Sequence, residues 1–222
     1  HRPPQLKKST LILSMARSEA ALQALAAAEE CGVPVLNSPR ALQKAQRTDF
    51  QQWFAKSGHA AKYWHTSKLT PELKVTLPFP LWWKRNNTAT TSATDVQFVE
   101  HHAQLDAILS EYSNEDALLM EHIDGQLVKF YGVVGTNFFH AEPHSPKGFS
   151  KFGHEQHNHH KDLAVSSPIW KQTLLAMHTA ATQVAQQSGF SIYGGDAILR
   201  EDGTFVFIDF NDFPSFSACL PE

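Results

Sequence analysis

Two apolar runs, Phe190 to Leu199 and Thr204 to Phe210, flank a turn at Asp202-Gly203. Asp-Gly between such runs is a strong β-hairpin signal, because turn positions of this kind require residues that tolerate positive φ. With Asp202-Gly203 as a two-residue loop, Glu201 faces Thr204 and paired residue numbers sum to 405, which sets Asp196 directly opposite Asp209. Residues two apart on a strand share a face, so Asn211 points the same way as Asp209, among Ile198, Phe205 and Phe207. Like charges directly opposite each other destabilise a sheet, and half-buried carboxylates without a counter-charge cost more. A divalent cation removes both penalties. Oxygen-only donors suit Mg²⁺ or Mn²⁺, which often takes one or two carboxylates together with substrate phosphates. Asp209 and Asn211 also fit an ordinary strand end with Asp196 in an unrelated exposed position, but Asp212-Phe213-Pro214 leans against this, because Pro214 stops the strand just after the polar pair. A three-residue loop would slip the register and break the pairing.

The rest of the chain must supply a core for that hairpin. Of its 222 residues, 42% are apolar, enough for one large domain or two small ones and too many for a disordered chain. No stretch approaches the roughly 20 apolar residues of a membrane helix, so no membrane partner is expected. A net charge of −3 and a pI near 6.5 exclude a strongly basic nucleic-acid scaffold. Only Cys31 and Cys219 occur, outside any C-x-x-C spacing, which excludes a disulfide framework and points to a reducing, cytoplasmic setting. The start, His1-Arg2-Pro3-Pro4, has no signal-peptide pattern, and the expectation is a soluble fragment cut at both ends.

Leu11 to Met15 reads as a short buried strand, followed by a helix capped by Ser18 with Ala21, Leu22, Leu25, Ala28 and Cys31 at helical spacing and Gly32 at its end. Val33 to Leu36 reads as a second strand, and Ser38-Pro39 opens a helix predicted to run to about Phe54. This alternation implies a partly parallel sheet. The stretch from Gly58 to Pro80, limited by Pro71, Pro78 and Pro80, reads as a linker into a second lobe. Strands are expected at Leu81 to Lys84, Val96 to Val99, Leu118 to Met120 and Val128 to Val134, with a helix over His101 to Tyr112. Glu142 to Asp162 shows no periodicity and reads as a loop of about twenty residues, uncommon unless functional or disordered. A helix from Pro168, capped by Ser167, carries the stripe Trp170, Leu174, Met177, Ala181 and Val184 and ends at Gly189.

Gly194-Gly195-Asp196-Ala197-Ile198 followed by Phe207-Ile208-Asp209-Phe210-Asn211-Asp212-Phe213-Pro214 resembles the C-terminal metal-binding hairpin of ATP-grasp enzymes. Four further segments follow the family's order: Val33 to Leu42, Lys84 at a strand end, Leu119 to Gly125, and Lys129 to Gly135. The resemblance covers most of residues 33–216 and implies an α+β / α/β architecture in which two α+β lobes clasp a nucleotide. It implies that residues 1–57 belong to a preceding α/β domain and 58–222 to the grasp, with a small lobe at about 75–118 and a large lobe at about 119–222. Asp196, Asp209 and Asn211 would hold Mg²⁺ or Mn²⁺, Lys84 would contact phosphate, and Glu121, His122 and Ile123 would form the hinge that reads the adenine of ATP. Lys129 would face the cleft as a nucleotide-binding and catalytic lysine. Taken singly, Lys84 also fits an ordinary strand end, Glu121 a solvated turn and Lys129 an exposed sheet face. The loop Asn86 to Ser92 lacks the glycines that often close over phosphate in this family, and no arginine stands just upstream of the hairpin.

Thirteen histidines are present, six of them between His140 and His160. His154, His157, His159 and His160 are suitable donors for Zn²⁺ or Ni²⁺, although the segment has no periodicity that would fix a geometry. His140, His144, Lys147 and Lys151 alternatively form a mildly basic lid over an anionic acceptor. The resemblance points first to an ATP-dependent carboxylate–amine ligase similar to ribosomal-protein glutamate ligases, with a small-molecule or peptide acceptor. An inositol polyphosphate 5/6-kinase-like activity and a non-catalytic nucleotide-binding protein are the alternatives.

Overall fold

The computed structural model describes residues 8–86, 92–144 and 168–219. The glycine-free stretch 87–91, the Ser167 cap, Lys147, Lys151 and the histidines at 154, 157, 159 and 160 lie outside the described residues. Among the described residues no helix is long and apolar enough to cross a membrane.

The first unit is β1 (Ile12–Leu13), α1 (Glu19–Glu30), β2 (Val35–Leu36), α2 (Pro39–Lys44) and α3 (Arg47–Ser57). The strands β1 and β2 pair in parallel. Ser18 accepts from the Ala21 amide, and Gly32 (φ +85) follows α1 where a left-handed residue ends the helix. The single helix expected from Ser38 to about Phe54 is two helices, because Ala45 and Gln46 are extended and Gln46 starts again with a reciprocal cap to Asp49. The restart turns Arg47, Thr48, Phe50, Gln51 and Phe54 inward.

The second unit contains β3 (Tyr63–His65), α4 (Pro71–Val75), β4 (Leu81–Arg85), β5 (Val96–Val99), α5 (His102–Glu111) and β6 (Ala117–Glu121). Its sheet has the order β3-β6-β4-β5 and is antiparallel throughout. The linker reading of Gly58 to Pro80 is corrected here: Tyr63–His65 pairs with β6, and Pro71 sits in the first turn of α4. A proline with no amide to satisfy starts a helix more readily than it prevents one. This sheet runs from Tyr63 to Glu121, past both ends of the expected 75–118 span. Leu81, Trp83, Val99 and Leu119 pack with Leu105 and Ile108 of α5, leaving Trp82, Lys84, Leu118 and Met120 on the opposite face.

The third unit is β7 (Gln126–Val133), β8 (Phe139–Pro143), α6 (Pro168–Ser188), β9 (Ile192–Leu199) and β10 (Phe205–Asn211), with the antiparallel sheet order β10-β9-β7-β8. The loop expected from Glu142 begins later than predicted, because Phe139 to Pro143 pair with β7 as an edge strand. One face of this sheet packs Phe130, Tyr193, Phe207 and Phe210 against Trp170, Met177, Ala181 and Val184 of α6 and against Phe50 and Phe54 of α3. The other face turns Leu127, Ile198 and Val206 toward Trp82, Leu118, Met120 and Ile123, joining the two four-stranded sheets through a shared apolar cluster.

Candidate functional site

The polar site grows out of the hairpin, and its register is reached by an unexpected route. Arg200 N–H donates to the Thr204 carbonyl at 2.8 Å, so Glu201, Asp202 and Gly203 (φ +84) form a three-residue loop. Phe205 therefore pairs with Leu199 and Phe207 with Ala197, one residue out of the expected register. A β-bulge between Phe207 and Asp209 then inserts Ile208 and restores the pairs Asp209–Asp196 and Asn211–Gly194. The carboxylates face each other as expected, but Phe205 and Phe207 lie on the buried core face rather than beside them. Glycine at 195 is required by the close approach: a Cβ there would meet the Asp209 carbonyl and the Phe130 ring.

Three cations converge on this acidic face. Lys129 lies directly opposite Asp196, with Nζ 3.4 Å from Oδ1, so it faces the acidic pair. Arg47, at the first turn of α3 and 5% exposed, places Nη1 2.8 Å from Asp209 Oδ1. Lys84 is likewise buried and donates to the Ile208 carbonyl at 2.8 Å. Burial, with the Arg47 guanidinium adding to it, lowers the Lys84 pKa to about 8. Asn211 completes the set, with its amide nitrogen 3.5 Å from Asp209 Oδ2.

The donors fit a hard divalent ion. Two aspartates and an amide stand on one face, the side chains of Asp196 and Asp209 remain about a quarter exposed, and no sulfur or imidazole joins them. Among the described residues there is no cluster of three or more His, Cys, Asp or Glu suited to a metal, so substrate oxygens or water would have to complete the coordination.

Beyond Asn211, Asp212 is held in a bidentate pair by Arg17, from the loop between β1 and α1. Asn37, just after β2 and 1% exposed, donates to the Ile192 and Asp212 carbonyls and accepts from the Ser191 and Ile192 amides. The first unit is thus bonded to the segment that follows the acidic pair.

At the end of β6, where the hinge was expected, the Glu121 carboxylate accepts from the Lys62 amide at 2.8 Å, and the amides of Glu121 and His122 donate to the Lys62 and Pro80 carbonyls. His122 Nδ1 accepts from the Trp82 indole at 3.1 Å, and Nε2 lies 3.3 Å from Asp124. Ile123 is buried in the cluster between the sheets. His140 sits on β8 and His144 is buried, with its amide bonded to the Leu127 carbonyl, while Lys147 and Lys151, the other two residues of the expected basic lid, lie outside the described residues.

Arg47 and Arg17 were not singled out from the sequence. Their only local signal is position, one beginning a helix and the other preceding Ser18, and their partners lie 162 and 195 residues away.

No protein-family model and no curated protein matches the sequence. Several solved structures match its fold. The VanG D-Ala:D-Ser ligase from Enterococcus faecalis aligns with a TM-score of 0.65 at 18% identity, over 95% of this chain and 65% of that one. The N5-carboxyaminoimidazole synthase from Aspergillus clavatus, solved with ADP and 5-aminoimidazole ribonucleotide, gives 0.66 at 12% identity, over 96% of this chain and 55% of that one. A RimK domain ATP-grasp protein from Sphaerobacter thermophilus gives 0.64 at 17% identity, over 95% of this chain and 75% of that one. The chain therefore spans between 55% and 75% of the length of these structures.

Proposed function

Because the chain has the ATP-grasp fold, we propose that it is an ATP- and Mg²⁺-dependent carboxylate–amine ligase. The observation that carries this reading is the pairing of Asp196 with Asp209, with Asn211 on the same face and Lys129, Arg47 and Lys84 around them. That arrangement is suited to a polyphosphate and its counter-ion lying beside the apolar cluster between the two sheets. Asp196, Asp209 and Asn211 would hold Mg²⁺, which neutralises charge on the phosphates when bound. Lys84 and Lys129 would act as point charges toward phosphate. The Glu121 and His122 amides are already bonded, so hinge donation to a base falls to the Ile123 amide.

A carboxylate oxygen of one substrate attacks the γ-phosphorus, and the bond to the β,γ-bridging oxygen breaks to release ADP. An amine then attacks the acyl carbon, phosphate leaves, and the nitrogen loses a proton as the amide forms. The ligase among the structural neighbours favours this chemistry over phosphoryl transfer to an alcohol.

The test is ADP formation with Mg-ATP and two pools of acceptors, one of amino acids and peptides and one of inositol phosphates, with the γ-phosphate followed separately. Free phosphate released only with the first pool is the expected result. Phosphate carried onto a polyol would replace the ligase with a kinase, and nucleotide binding without ADP from either pool would favour a non-catalytic protein.

A further inference from the structure

Asp209 has an unusual partner for a residue proposed to hold a divalent ion. Its Oδ1 receives Arg47 Nη1 at 2.8 Å, while the Arg47 side chain is 6% exposed. This arginine is not a loose surface side chain. The adjacent Thr48 amide donates to Asn86 Oδ1 at 2.9 Å, and the Asn86 amide group donates to Asp116 at 2.7 Å and to Gln46 at 3.2 Å. Asn86 follows directly on β4, so the start of α3 is bonded to the small-lobe sheet while its guanidinium reaches the large-lobe sheet. Lys84, on β4 two residues before Asn86, ends 2.8 Å from the carbonyl of Ile208, the residue inserted by the bulge.

The acidic pair is therefore compensated from within the chain, Asp209 by Arg47 and Asp196 by Lys129. A bare divalent ion entering between the two aspartates would meet a buried guanidinium and two ammonium groups. Charges of like sign repel strongly where water is scarce. We infer that Arg47 is a resident counter-ion that suppresses binding of a bare divalent cation at Asp209, so that metal binds tightly only together with an anion that offsets the guanidinium. This rests on the metal-site reading given above, and it makes Arg47 a positioning residue that sets the order in which ligands enter.

The experiment measures Mn²⁺ binding directly, by the loss of the free-ion electron-paramagnetic signal, with and without a non-hydrolysable ATP analogue and with correction for the Mn²⁺–analogue complex in solution. In the unmodified protein the analogue is expected to tighten Mn²⁺ binding at least tenfold. Arg47→Gln is expected to bind Mn²⁺ alone at least tenfold more tightly than the unmodified protein and to lose most of the gain from the analogue. Arg47→Lys, which keeps the charge, should stay close to the unmodified protein. Equal Mn²⁺ affinity with and without the analogue overturns the inference using the unmodified protein alone, whatever the folding of the variants. So does a folded Arg47→Gln, judged by circular dichroism, whose affinity for Mn²⁺ alone is unchanged or weaker. A different failure marks the underlying site: if Arg47→Gln/Asp209→Asn binds Mn²⁺ as tightly as Arg47→Gln, or no form binds Mn²⁺ even with the analogue, the metal assignment falls and the inference falls with it.

Discussion

A lysine at the end of an exposed strand would be charged across the working pH range, whereas Lys84 is buried and its pKa falls to about 8. Burial disfavours the ammonium, so the unfolded chain holds that proton more tightly than the folded one. The sign follows from proton linkage: this residue's contribution to stability is fully present above the ordinary lysine value of 10.5 and is lost as pH falls through about 8. Phosphate binding has the opposite trend, since only the ammonium attracts it. We therefore predict that ATP binding weakens above about pH 8, by up to about tenfold per pH unit, and that Lys84→Arg flattens this profile. Isothermal titration from pH 7 to 9.5 checks both. Asp209→Asn removes one of the two opposed charges while keeping the shape of the strand end. Its expected effect is a loss of about 100-fold or more in Mg²⁺-dependent ATP turnover with an unchanged circular dichroism spectrum. Normal turnover in that variant would refute the metal role.

The hairpin shows how element geometry and local chemistry divide the work. Asp202-Gly203 signals a turn, yet the Asp202 carboxylate bonds the Thr204 amide and hydroxyl, and the loop closes over three residues. The extra residue is absorbed at Ile208, where the bulge bends β10 and brings Asp209 back opposite Asp196. Sequence alternation located the strands, but the pairing expected from a two-residue loop holds only because the bulge offsets the extra loop residue, and the bulge has no alternation signature. Close strand approach at Gly195 makes this element sensitive to a single methyl group. Gly195→Ala would press on Asp209's carbonyl and on Phe130 Cζ, which lies 2.7 Å from the added carbon. The expected cost is about 1–3 kcal/mol. In a thermal melt this appears as a Tm lowered by about 2–4 °C for each kcal/mol. The short strands are a different case. The three residues of β3 are too brief to show period-two alternation, whereas Phe139 to Pro143 of β8 do alternate apolar and polar residues but end on a proline, and each is an edge strand defined by one neighbour.

Across the whole molecule, the first unit and the third are joined by polar groups as well as by the aromatic contacts of α3. Asn37 makes four buried hydrogen bonds to Ser191, Ile192 and Asp212, and Arg17 clasps Asp212. Asn37→Ala leaves two amides and two carbonyls in search of partners. We expect a loss of about 3 kcal/mol or more, read as a lower urea midpoint with an unchanged slope. A midpoint equal to that of the unmodified protein would show that water replaces these bonds.

The sequence by itself determined what depends on short-range order. The stripes of α1 and α6, the glycines that end them, the presence of the hairpin and the shared face of Asp209 and Asn211 follow from spacing and turn chemistry, whereas the pairing of Asp196 with Asp209 also needs the bulge at Ile208. Tertiary structure decided which cations those acidic groups meet. Arg47 reaches Asp209 only because the helix expected from Ser38 to Phe54 breaks at Ala45 and Gln46, and because Phe50 and Phe54 of the new helix pack on the sheet β10-β9-β7-β8. An ion pair spanning 162 residues leaves no periodic trace in the chain, since its geometry is fixed by the packing of helix on sheet and not by the residues on either side of the charge.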